Sequence, residues 1–138
     1  MAEKIPAPPP TGVGEIDREH ALELKVVREI QAALLAGDRV RARALLERLE
    51  EFTEAHFLTE QLLMRQHAYP GYAAHQQEHD RLVGELREIS CRLDAESLLH
   101  APREVERLEQ WLLAHMATSD QTLGAFIAEA GGTPAPQD

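Results

Sequence analysis

The sequence predicts an all-α protein folded as an up-down-up-down four-helix bundle. Apolar residues recur at three- and four-residue spacing in four long stretches, the period of a helix with one buried face. Glycine, proline and aspartate punctuate the short gaps between the stretches, and short gaps favour antiparallel neighbours. Hydrophobic residues make up 43% of the 138 and aromatics only 4%, so Leu, Ala, Ile and Val must supply most of the core, as in a helical protein.

Residues 1–14 read as a flexible proline-rich arm, because Pro8, Pro9 and Pro10 run into Thr11, Gly12 and Gly14, a composition that favours extended chain. The first helix is expected to open at Asp17 as N-cap and to carry Leu24, Val27 and Leu34 to a stop at Gly37. Asp38 caps the second, on which Leu45, Leu49, Phe52, His56, Glu60, Leu63 and His67 recur until Tyr69 and Pro70 interrupt it. Pro70 suits the first turn of the third, whose stripe is His75, His79, Leu82, Leu86, Ile89 and Leu93 and which fades near Ser97. Pro102 opens the fourth, with Leu108, Trp111, Leu112, His115, Leu123 and Phe126 ahead of Gly131 and Gly132. One bundle domain is thus expected over 15–130, with 131–138 as a flexible tail. No strand pattern, internal repeat or glycine-rich phosphate loop competes with this reading.

A net charge of -10 without a basic cluster would repel phosphate backbones and anionic lipid, which argues against nucleic acid and membrane surfaces as partners. Cys91 is the only cysteine, so there is no internal disulfide and no thiolate cluster, and its place off the apolar stripe makes it a surface thiol. The N-terminus lacks the apolar run of a signal peptide, and the longest apolar stretch, Ala32 to Ala36, is too short to span a bilayer. A cytoplasmic protein is expected.

Polar residues stand where the core should be. His20 lies on the first stripe, His56 and Glu60 on the second, His75 and His79 on the third, His115 and Asp120 on the fourth. A single core histidine satisfied by a hydrogen bond would need no further explanation, but seven such groups together do. In the pairs His56–Glu60 and His75–His79, i, i+4 spacing puts both side chains on one helical face about 5 to 6 Å apart. The five-residue step from His115 to Asp120 breaks that geometry, and Asp120 is expected to reach in from the helix edge. In an up-down-up-down bundle the start of the first helix, end of the second, start of the third and end of the fourth share one level, so all seven groups can meet. His67, at the end of the second helix, and His100, in the loop before Pro102, are left out of the set.

Seven side chains exceed the six positions of one octahedral ion and the four of a closed zinc site, so two metal ions fit better. Five imidazoles, two bridging carboxylates and one bridging oxygen would fill about eleven of the twelve positions of two octahedral ions. One position stays open. Leu24, Trp111, Leu112, Met116 and Leu123 are candidates for an apolar wall around it, although ordinary core packing accounts at least as well for Trp111 and Met116.

The stretches IDREH, HFLTEQLLM, YPGYAAHQQEHDRL and WLLAHMATSD resemble the hemerythrin family, and closely resemble its bacterial members, over roughly residues 13–127. The resemblance implies two iron ions: His75, His79 and His115 on one, His20 and His56 on the other, with Glu60, Asp120 and an oxo or hydroxo group bridging them. It further implies that dioxygen binds reversibly at the open position on the two-histidine iron. Gln61 stands where the family often has a second glutamate, and Leu82 where phenylalanine is common; neither change removes a ligand.

The expected function is therefore that of a dioxygen carrier or store. The alternative is a sensor of oxygen, nitric oxide or redox state, which would need a separate protein as its output. A peroxidase or oxidase ranks last, because the sequence shows no acid at the site beyond the ligands themselves.

Overall fold

The computed structural model describes residues 8–95 and 100–130. Residues 1–7, the fade near Ser97 and the tail at 131–138 lie outside the described residues. Helices α1 (Gly14–Leu35), α2 (Arg39–Gln66), α3 (Tyr72–Ala95) and α4 (Ala101–His115) pack in a ring, each against the next and α4 back on α1. After α4 the rod continues through a π-helical turn, Met116–Asp120, into α5 (Gln121–Glu129), and there is no strand among the described residues. The bundle is all-α, as predicted.

The helix ends follow from local chemistry. Gly37, at φ 72°, turns the chain left-handed after α1, and Asp38 N–H returns to the Ala33 carbonyl at 2.9 Å. Asp38 then caps α2 by accepting from Arg41 N–H at 3.0 Å. His67 closes α2, its Nδ1–H donating to the Leu63 carbonyl at 2.9 Å. That leaves it occupied with the backbone rather than with the site. Pro70 lies in the turn ahead of α3 rather than in its first turn, whereas Pro102 does sit at the start of α4.

The entry to α1 departs from expectation. The helix starts three residues before Asp17, and Asp17 Oδ1 instead accepts from both N–H and Oγ1–H of Thr11 at 2.8 Å each. The Thr11 carbonyl rests on Gly124 of α5, where an added Cβ would lie 2.1 Å from it, so only glycine fits there. Gln121 Nε2 also donates to the Pro10 carbonyl at 2.8 Å. Residues 10 and 11 are thus tied to α5, where a flexible arm was expected through residue 14.

The apolar interior divides in two. A large cluster fills most of the bundle, with Val27, Ile30, Leu46, Leu49, Leu86 and Leu108 almost wholly shielded, each worth about 1.5–3 kcal/mol of burial. A small cluster of Ile16, Met64, Leu123 and Ile127 plugs the end where α1 begins and α5 runs. The polar residues lie in the layer between them. No helix among the described residues is long and apolar enough to cross a membrane.

Candidate metal centre

All seven predicted residues meet in that layer, none more than 5% exposed. Their donor atoms form two overlapping groups. Those of Glu60, His75, His79, His115 and Asp120 lie within 4.8 Å of one another, and so do those of His20, His56, Glu60 and Asp120. The two carboxylates belong to both. Glu60 Oε1 is 2.9 Å from Nε2 of His75 and of His79, while its Oε2 is 3.1 Å from His56 Nε2. Asp120 Oδ1 is 3.0 Å from His75 Nε2 and 3.2 Å from His115 Nε2, and its Oδ2 is 2.9 Å from His20 Nε2.

The π turn accounts for Asp120. A five-residue step on an α-helix overshoots the face by more than a third of a turn, whereas one wide turn with an extra residue brings position 120 back over His115. Asp120 therefore enters from the same face as His115 and not from the helix edge. Thr118 Oγ1 donates to the Ala114 carbonyl at 2.8 Å and Thr122 Oγ1 to that of Thr118 at 2.7 Å, which occupies carbonyls flanking the irregular turn.

A second set of carboxylates orients the imidazoles. His56 Nδ1–H donates to Glu19 Oε1 and His115 Nδ1–H to Glu78 Oε1, both at 2.6 Å. Each bond occupies Nδ1 and turns Nε2 into the layer, so that Nε2 is the nitrogen whose lone pair a metal would take. Thr59 donates to Glu19 at 3.2 Å and Ser119 to Glu78 at 2.7 Å, steadying the two carboxylates in turn. Phe57 stacks on His79 at 3.6 Å between centroids and Trp111 on His115 at 5.0 Å. On the outside, a cleft of about 240 Å³ lined in part by Tyr69, Thr118 and Thr122 reaches His75.

In this layer imidazoles and carboxylates support one another's charge. Burial alone would lower the imidazoles, but hydrogen bonds and charge from Asp120 and Glu60 outweigh it and lift His20 and His75 to about 9. For His56, burial again opposes, and Glu60 with Glu23 and Glu19 lifts it to about 10. Burial prevails only at His79, which is lowered. Glu60 and Asp120, which burial would raise, are held well below the ordinary carboxylate range by the surrounding imidazoles.

Buried nitrogens and oxygens of the layer lack hydrogen-bond geometry despite their proximity: both ring nitrogens of His20 and His79, His115 Nε2, Glu60 Oε2 and Asp120 Oδ1. Such atoms are costly in an interior unless something else satisfies them. Five imidazoles and two shared carboxylates suit a pair of first-row transition-metal ions, so the residues present fit a di-iron centre.

Sequence reasoning missed Glu19, Glu78, Glu23 and Thr53. A signal for the first two exists, since each is the first member of a Glu-His pair, Glu19–His20 and Glu78–His79. Their partners, His56 and His115, each lie 37 positions further on. The expectation of no internal repeat is corrected here, because the α1–α2 hairpin recurs as α3–α4 shifted by 59 positions. Glu19 becomes Glu78, His20 becomes His79, Ile30 becomes Ile89, Ala42 becomes Ala101, Leu49 becomes Leu108 and His56 becomes His115. The one-residue insertion at the π turn then carries Glu60 to Asp120. The repeat extends beyond the buried positions, since Arg28–Glu29 answers to Arg87–Glu88 and Glu47–Arg48 to Glu106–Arg107, but unlike residues interrupt it over most of its length. It also breaks where the two metal positions differ, since His75 answers to Ile16 and leaves one group a histidine short. Glu23, 2% exposed, likewise corrects the expectation that the site holds no carboxyl beyond the ligands, and burial pushes that carboxyl up.

Residues 11–127 match the family model described as the hemerythrin HHE cation binding domain. The chain is similar to the bacteriohemerythrin of Methylococcus capsulatus (26% identity, 86% of this chain and 90% of that protein). It is also similar to that of Aquifex aeolicus (30% identity, 83% and 88%). Myohemerythrin of Sipunculus nudus is 34% identical over a shorter stretch, 56% of this chain and 58% of that protein. Among solved structures, a wild-type hemerythrin crystal structure superposes with a TM-score of 0.74 at 27% identity, covering 86% of this chain and 91% of that one.

Proposed function

The chain belongs to the hemerythrin family, and on that premise we propose that it binds dioxygen reversibly at a pair of iron ions, as a carrier or store. His75, His79 and His115 would hold one ion, His20 and His56 the other, and Glu60 and Asp120 both. The observation that carries this reading is the unequal pair of donor groups, three imidazoles against two around the same two carboxylates. The side with two imidazoles is the side left open to a small ligand. When bound, the iron pair would lend dioxygen one electron from each ion and recover both on release.

The protein's part is to hold and to exclude. Glu19 and Glu78 fix the rings of His56 and His115, so little reorganises when a metal or ligand arrives. Leu24, Leu112 and Met116, with Phe57, shield the inner side of the layer, while the Leu123 cluster closes the opposite end instead of the same wall. Excluding water there protects a reduced centre from proton-driven oxidation. Titrating anaerobically reduced, iron-loaded protein with dissolved oxygen tests the proposal: uptake should stop at one dioxygen per two irons. Continuous uptake, or none, would contradict it.

A further inference from the structure

Glu23 sits one turn beyond His20 on α1, and Thr53 one turn before His56 on α2, so the two share the layer just inward of the two-histidine side. Both are buried, and Thr53 Oγ1–H donates to Glu23 Oε2 at 3.0 Å. A neutral hydroxyl is a poor counterpart for a buried anion, and burial raises the Glu23 carboxyl against the opposing pull of His56, His20 and the Thr53 hydrogen bond, with Asp120 adding to the rise. The group is therefore suited to carry a proton.

The other hairpin shows that packing does not require this pair. The positions 59 further on are Leu82 and Leu112, 1% and 2% exposed, so the same bundle fills the equivalent layer on the three-histidine side with two leucines. Polarity is confined to the side with the missing imidazole. A buried carboxyl is costly where leucine would serve, and its position on the open side supplies the reason for keeping it.

We propose that Glu23, positioned by Thr53, is the acid that faces dioxygen on the two-histidine side and sets how long it is held before leaving as hydrogen peroxide. This rests on the dioxygen reading above. Bound dioxygen would already hold one electron from each ion; in the step that ends reversible binding it would keep both and take up two protons. Two O–H bonds form, the O–O bond stays intact, hydrogen peroxide leaves and both ions are left ferric. Glu23 gives one of the protons and becomes a carboxylate beside the more positive ion pair; solvent gives the other and later reprotonates Glu23.

The test compares wild type, Glu23→Leu, the chain's own alternative at position 82, and Glu23→Gln, which keeps the shape. In iron-loaded protein exposed to oxygen, both variants should lose their oxygen-dependent absorption more slowly, on the order of a hundredfold, the lower end of what a positioned acid contributes. Hydrogen peroxide release should fall in step. In metal-free protein, difference infrared spectra should show a carboxylic-acid C=O stretch at neutral pH that disappears in both variants. Decay rates within a factor of about two of wild type in both variants, or no such band, would overturn the role of Glu23 and leave the dioxygen reading standing. If no protein, wild type included, develops an oxygen-dependent band, the dioxygen reading itself fails and this inference with it.

Discussion

Glu60→Ala should convert a two-metal protein into a one-metal protein. Glu60 is fully buried, and its oxygens lie 2.9 Å from His75 and His79, 3.1 Å from His56 and 3.8 Å from His20. Without it, one donor group keeps His75, His79, His115 and Asp120, enough for a four-coordinate ion, while the other keeps only His20, His56 and Asp120. Metal content should fall from two ions per chain to one, retained on the three-histidine side. The metal-free protein should lose about 3–5 kcal/mol, the cost of removing one partner from a buried charged cluster. Glu60→Gln keeps the volume and removes the charge, so comparing the two separates the cavity from the electrostatics. Elemental analysis with denaturant titration of the metal-free forms provides the readout. Two ions per chain in Glu60→Ala, or a metal-free stability unchanged from wild type, would refute the shared-carboxylate geometry.

Two further outcomes are expected. The metal-free protein should be pH-sensitive on both sides. His20, His56 and His75 are raised to about 9, about 10 and about 9, so their contribution is complete below the unfolded value of 6.5 and lost as pH climbs through 9 to 10. Glu60 and Asp120 are depressed, so theirs is complete above the ordinary carboxylate range and lost as pH falls through their folded values. Denaturant midpoints should therefore peak near pH 5 to 6, and a midpoint that rises from pH 7 to 10 would contradict the assignment. Glu19→Gln should weaken binding of the ion on the two-histidine side by about 10- to 100-fold, since it orients His56, whereas Glu78→Gln, at a more exposed carboxylate on the better-furnished side, should do less. Competitive chelator titrations measure both, and equal or absent effects would sink the orienting role.

The fold and the gathering of seven buried polar side chains in one layer were legible in the sequence for the same reason: helical period places both apolar residues and buried polar ones. Gly37, Asp38 and Pro102 mark helix ends by chemistry that operates within a few residues. What the sequence concealed depends on partners far along the chain. Asp17 looks like an N-cap, yet its carboxylate is taken by Thr11, which is itself seated on Gly124. The π turn cannot be inferred from the residues of MATSD alone; it becomes intelligible once Asp120 must share a face with His115. Glu19, Glu23 and Glu78 look like ordinary acidic residues of an acidic protein. Only the packing of α1 on α2 and of α3 on α4 shows two of them behind histidines and the third buried beside Thr53.

Reversible binding of dioxygen is tested most directly by cycling without reductant. Iron-loaded protein, reduced once under anaerobic conditions and freed of reductant, is exposed to oxygen and then purged with argon while its visible spectrum is followed. An absorption band should appear with oxygen, vanish on purging and return on re-exposure over several cycles, with a gradual loss at each one. A band that never reverses, or one whose return requires fresh reductant at every turn, would contradict the account.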